Sequence, residues 1–275
     1  MRLYCFLVMM AASLLCSLQA NAAKIDGKPK DPNRFYTRTF RSGEDTLYYN
    51  ILFPKQFDMK KKYPLVVVLH DEDAYATNGD HYNRKQLKTP VAALFSRNGV
   101  KDSFPAIVVF PQCEYGDPWA TYKVNDGSNQ ASFDEKPEQT YSNELLERMI
   151  RYYLKNYPVD EKRVYIIGQG VMGGSGALDL AVRIPKKIAA VVSMGGAVSA
   201  ERVKPLKKTA VKLYSSTAIK EMPITLVYDV FIGLKAAGSD KVEEVVDFQT
   251  ATLPECVKSA AADPELLNWL FSKKK

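Results

Sequence analysis

The residues best suited to chemistry in this chain gather around one glycine-rich stretch, Arg163-Val-Tyr-Ile-Ile-Gly-Gln-Gly-Val-Met-Gly-Gly-Ser-Gly-Ala-Leu-Asp-Leu-Ala181. It reads as a buried strand, a turn of small residues and then a helix. Two chemistries use that arrangement. One cradles a pyrophosphate on backbone N–H groups with G-x-G-x-x-G, a string that Gly168 to Gly173 matches. That version opens the first βα unit of its fold, whereas several strand-like segments precede this turn, so nucleotide binding is not expected. The other lifts a nucleophile above the end of a strand with G-x-S-x-G. Here the apex falls on Gly170 or on Val171, depending on the side from which it is counted, and neither carries a hydroxyl. Ser175, in Gly173-Gly-Ser-Gly176, imitates the motif. It is expected inside the first helical turn, past the apex, where a small residue serves helix–sheet packing.

Partners for a nucleophile are equally scarce. The chain has two histidines, His70 and His81, and none after position 81. An order of nucleophile, acid and then histidine therefore cannot be completed downstream of the turn. His81 sits in the polar run Asn78-Gly-Asp-His-Tyr-Asn83 and reads as a surface residue. His70 leads into Asp71-Glu72-Asp73. With Asp80 these carboxylates could attract a cation such as Ca²⁺, but their spacing is not that of a known cage, and a solvated acidic loop is expected. Of four cysteines, Cys5 and Cys16 lie in the apolar leader and Cys113 and Cys256 remain. A Cys113–His70 dyad and a Cys113–Cys256 disulfide are both imaginable. A buried thiol beside a packed imidazole is the simpler expectation. There is no CxxC, HExxH or histidine pair, so neither a metal site nor a cofactor is expected.

The elements that must hold these residues show in the hydrophobic pattern. Leu65–Leu69, Ala106–Phe110, Val164–Ile167, Ala189–Ser193 and Val211–Tyr214 are short β-branched runs of the kind buried on both faces of a parallel sheet. Thr46–Phe53 reads as a further strand. Between them Asn143–Leu154 places Leu145, Leu146, Met149, Ile150, Tyr153 and Leu154 on one face, with Asn143 as its cap. Leu178–Ile184 follows the glycine-rich turn, Thr225–Ala237 stops at Gly238, and Pro264–Phe271 starts from Asp263-Pro264. Strands alternating with helices imply an α/β fold with a mainly parallel sheet covered on both faces.

Residues 1–22 read as a signal peptide: Arg2, an apolar stretch from Leu3 to Leu18, then Ala20-Asn21-Ala22 as a cleavage pattern. The stretch is too short for a membrane span, so export to the periplasm or outside the cell is expected, with no transmembrane segment after cleavage. Residues 23–34 read as a polar arm and 35–275 as one domain. A hydrophobic share of 46% supplies one large core. The net charge of +7 lies in short lysine runs without interleaved aromatics, which argues against nucleic-acid binding.

Several segments in order resemble the secreted α/β-hydrolases related to polyhydroxybutyrate depolymerases, feruloyl esterases and the phospholipase/carboxylesterase group. They are Asp45–Lys55, Lys62–His70, Phe110-Pro-Gln-Cys-Glu-Tyr-Gly-Asp-Pro-Trp119, Tyr157–Ile167, Ala181–Ala190, Leu234–Gly238 and Asp263–Leu270. The resemblance implies an α/β-hydrolase fold and a serine–acid–histidine triad. Carried over position by position, the serine falls on Val171 or Gly170, the acid on Ile219 and the histidine on Pro254. The glycines of the oxyanion loop are replaced by Asp71, Glu72 and Asp73. The expectation is a pseudo-hydrolase with a binding or structural role, its partner a small molecule, a glycan or an exported protein. The alternative is a carboxylic-ester hydrolase with Ser175 or Cys113 as a substitute nucleophile. A module that binds a protein partner is a second alternative. The old pocket rim would then be His70, Asp71, Cys113, Trp119, Gly170, Val171 and Met172.

Overall fold

The computed structural model describes residues 34–76 and 84–275. The expected signal peptide, nearly all of the arm, Asp80 and His81 lie outside the described residues. β1 (Tyr36–Ser42) and β2 (Asp45–Leu52) form an antiparallel hairpin at one edge of an eight-stranded sheet. The sheet continues through β4 (Ile107–Gln112), β3 (Tyr63–Leu69), β7 (Val159–Gln169), β8 (Ala190–Met194), β9 (Ala210–Ser215) and β10 (Val246–Asp247). β2 meets β4 antiparallel, and every pairing from β4 to β10 is parallel. A two-stranded ribbon, β5 (Lys123–Val124) with β6 (Ala131–Ser132), lies apart.

This is the α/β sheet that the β-branched runs imply. Each central run is fully buried, because crossover helices cover the strands. The helices are α1 (Pro90–Ser96), α2 (Asn98–Ser103), α3 (Tyr141–Asn156), α4 (Gly170–Arg183), α5 (Ile224–Ala236), α6 (Leu253–Ala262) and α7 (Leu266–Ser272). α3 buries the face read from its sequence except Leu154, which is half-buried near the helix end, and its cap is not Asn143. Thr140 takes that place, its hydroxyl accepting from the Asn143 N–H at 3.2 Å, and Asn143 is drawn inside the helix. α4 begins directly at the glycine-rich turn, eight residues before Leu178. α7 begins at Leu266 rather than at Pro264, with Asp263 accepting from the Glu265 N–H instead. Gly238 closes the segment after α5 at φ +82°, as its position suggested.

α4 sits closer to the sheet than side chains permit. A Cβ on Gly168 would lie 2.0 Å from the Gly173 carbonyl oxygen, so strand and helix touch backbone to backbone. Behind the turn α4 is fixed by charge. Asp179, buried on its inner face, takes Nε of Arg183 at 2.6 Å, Nη2 of Arg202 at 2.6 Å and the Asn143 amide at 3.3 Å. That carboxylate ties α3, α4 and the loop after β8 together.

Removing one member of a buried ion network strands the others. Asp179→Ala is expected to cost about 3 kcal/mol, read as a lower urea midpoint with an unchanged slope. A midpoint equal to that of the wild type would mean that α4 is held by packing alone.

Candidate functional site

The carboxyl ends of the parallel strands bring the chemically able residues together, as open α/β sheets do. β3 delivers His70 and Asp71, β4 delivers Cys113, β7 delivers Gly170, and the loop after β8 delivers Gly195. The apex of the turn is Gly170. Its φ of +73° is the left-handed conformation that suits glycine. Val171 follows inside the first turn of α4 and is buried, so of the two positions that the sequence left open the backbone selects Gly170.

What stands where the nucleophile's side chain would stand is Asp71. A Cβ built on Gly170 would lie 1.9 Å from Oδ2 and 2.0 Å from Cγ of Asp71. The carboxylate and a side chain at 170 are mutually exclusive. Asp71 Oδ1 accepts the Met172 N–H at 2.9 Å, so a carboxylate of the chain itself sits on the first turn of α4. The positive end of the helix and its unpaired N–H groups favour an anion there. The Asp71 carboxylate itself supplies a negative charge at this point. Burial raises its pKa from 3.8 to about 6, the Met172 and Glu72 N–H groups offset part of the rise, and the charges of Glu72 and Asp73 add to it. Glu72 is engaged elsewhere, accepting the Tyr122 hydroxyl proton. No cluster able to hold a metal ion exists among the described residues.

His70 is buried and fully occupied. Nδ1 meets the Asp71 carbonyl at 2.7 Å, which makes Nδ1 the protonated nitrogen, and Nε2 accepts the Cys113 N–H at 3.3 Å. Burial lowers its pKa to about 4, against the pull of the Asp71 carbonyl. Cys113 Sγ lies 3.7 Å from Nε2, so thiol and imidazole do meet. Burial first and Asp117 second push the thiol well above its ordinary value, which leaves it protonated and a poor nucleophile. Trp119 closes the floor, its ring 5.2 Å from that of His70.

The remaining positions are apolar or committed. Ser175 lies in the second turn of α4, not the first, and its buried oxygen takes the Ala197 N–H at 3.3 Å. Ile219 is buried in the core. A carboxylate on the adjoining strand β10 is Asp247, which sequence counting missed. It is spent on the Thr217 N–H and hydroxyl and on the Gln249 N–H. Pro254 is exposed in the first turn of α6. Leu253, not Pro254, faces the turn: its Cδ1 lies 2.5 Å from a Cβ built on Gly195. Cys113 and Cys256 are both free, so no bridge joins them.

The family model for esterases, described as "Putative esterase", matches residues 43–249. The chain belongs to the Esterase family. Among solved structures it is similar to a thermostable esterase at 23% identity and a TM-score of 0.73. That match covers 88% of this chain and 63% of the other, so the chain spans under two thirds of that protein's length. It is also similar to a ferulic acid esterase of the anaerobic fungus Anaeromyces mucronatus (15% identity, TM-score 0.55, covering 86% and 91%). A third likeness is to an S954A mutant of the feruloyl esterase module from Clostridium thermocellum, complexed with sinapinate (11% identity, TM-score 0.59, covering 93% and 96%). No curated protein matches the sequence. These likenesses carry the esterase-type α/β-hydrolase fold that the residue motifs suggested.

The raised pKa of Asp71 has a sign that can be worked out. Between about pH 4 and 6 the folded state binds this proton more tightly than the unfolded chain. The stability it lends is present at low pH and is lost as pH rises through the folded pKa. His70, shifted down, acts in the opposite sense, so only a difference between variants isolates Asp71. Asp71→Asn keeps an acceptor for the Met172 N–H. It is expected to be about 1–2 kcal/mol more stable than the wild type at pH 8, after allowing for the partial exposure of the carboxylate, and equal to it at pH 4. Urea unfolding at the two pH values reads this. An equal difference at both would mean that Asp71 is not buried as a charge.

Proposed function

We propose that this member of the Esterase family does not hydrolyse esters and keeps the fold as a binding scaffold. The observation that carries the reading is the Asp71 carboxylate in the space of the nucleophile's side chain, above a glycine apex. Acyl transfer needs an activated hydroxyl or thiol, a base and a vacant set of N–H donors for the oxyanion. The apex has no side chain. The one imidazole among the described residues, His70, has both nitrogens engaged. The Met172 N–H already holds a negative oxygen. A second anion forming beside Asp71 would be repelled at the point where it needs stabilising. Export, suggested by the first residues, would place the scaffold outside the cytoplasm, where a glycan, a small molecule or another exported protein would be its partner.

The family likeness keeps a hydrolytic reading in play, and Cys113 beside His70 is the geometry that favours it. One comparison separates the two. Purified protein lacking residues 1–22 is expected to hydrolyse p-nitrophenyl acetate no faster than buffer, and a fluorophosphonate or iodoacetamide probe is expected to leave it unlabelled. Turnover well above the blank that disappears in Cys113→Ala, Ser175→Ala or Asp71→Asn would overturn the proposal and name the nucleophile.

A further inference from the structure

At the opposite end of the sheet from Gly170, around the amino ends of β3 and β7, lies a groove of about 560 Å³. It falls within the range of small-molecule pockets, roughly 300–1,000 Å³. Its apolar part is Phe104, before β4, and Phe271, on α7, half-buried rings with centroids 5.0 Å apart and tilted by 49°. Lys61 and Lys62 at the entry to β3, Arg163 on β7 and Asn268 on α7 line the rest. The two lysines are exposed and make no ion pair with any described residue, and the Asn268 amide makes no hydrogen bond to one. Two of the nearby carboxylates are already taken. Asp160 holds Arg163 Nε at 2.6 Å, leaving the terminal nitrogens of the guanidinium, and Asp102 holds Lys55 at 2.6 Å.

The positive charge does not stop at the groove. The Tyr165 hydroxyl bonds the Lys273 carbonyl at 2.8 Å, which ties the last residues to the strand beside Phe271. Lys275 donates its backbone N–H to Lys162 and its ammonium to the Thr209 hydroxyl at 3.0 Å. Burial lowers the Lys275 pKa, and Lys241 and Lys208 lower it further. Like charges crowd here.

We propose that this groove and the lysine edge beside it bind a carboxylate-bearing oligosaccharide, at a site separate from the turn at Gly170. The chemistry on each wall fits. The half-buried rings offer apolar surface to the C–H groups of a sugar, Asn268 offers both a donor and an acceptor to its hydroxyls, and the lysines meet carboxylates spaced along the chain. A membrane surface fits less well, because the aromatic side chains are sunk in a concavity rather than protruding. Nucleic acid fits less well too, because the rings are tilted to one another and offer no stacking platform.

The test titrates the purified protein with trigalacturonate by calorimetry, beside xylotriose, a single-stranded oligonucleotide and phosphatidylglycerol vesicles. Trigalacturonate is expected to bind saturably with a Kd below ~1 mM, and more weakly as salt rises. Xylotriose is expected to bind at least about tenfold more weakly. Lys61→Gln with Lys62→Gln, both exposed and safe for folding, is expected to weaken binding about tenfold, and Asn268→Ala about threefold. Three results would overturn the proposal: no saturable binding of trigalacturonate, binding that neither variant weakens, or equal binding of the oligonucleotide or the vesicles through the same lysines.

Discussion

The structure depends on one contact made without side chains. β7 turns into α4 at Gly168–Gly174, and helix and sheet meet there at distances that a Cβ cannot enter. This sets the height of the first turn of α4 above the strand ends. It fixes where the N–H of Met172 points, and so where an anion is welcome. In the fold at large, that cradle serves a negative charge that exists only during reaction. Here Asp71 supplies one from the chain itself. The loop after β3 is thereby tied to the turn after β7, and His70 is locked beneath it by its own neighbour's carbonyl.

Much of this was legible in the residues. The β-branched runs gave the central strands to within two residues at every end but one, because strands buried on both faces cannot hide their composition. The start of β7 lay further out, at Val159, where polar residues interrupt the run. Helix starts were less legible. Asn143 and Asp263 are both good capping residues, yet Thr140 caps α3, and α7 starts beyond Pro264. Side-chain preference for a cap is local, whereas the approach of the chain from the preceding loop decides which candidate is in reach.

The site was legible by what it lacks and not by what replaced it. That no histidine follows position 81 needs no structure. That Asp71 would bend onto Met172 does, because the two lie a hundred positions apart and meet only through β3–β7 pairing. The same holds for Leu253. The histidine position carried over from the resemblance fell one residue away, on Pro254, and helical geometry turned the neighbour toward Gly195 instead. The ambiguity between Gly170 and Val171 also had a physical source. The apex is defined by backbone torsion, whereas the motif downstream is counted from the helix, and the two differ here by one residue.

A glycine at the apex has an energetic consequence. A residue with a side chain held at positive φ stores about 1–3 kcal/mol of conformational strain, which an enzyme tolerates because the raised side chain does its work. Gly170 at +73° stores none. A turn in this condition carries none of the strain that a raised nucleophile requires. The energy otherwise held in the turn remains with the fold, and surface substitutions elsewhere can accumulate against it.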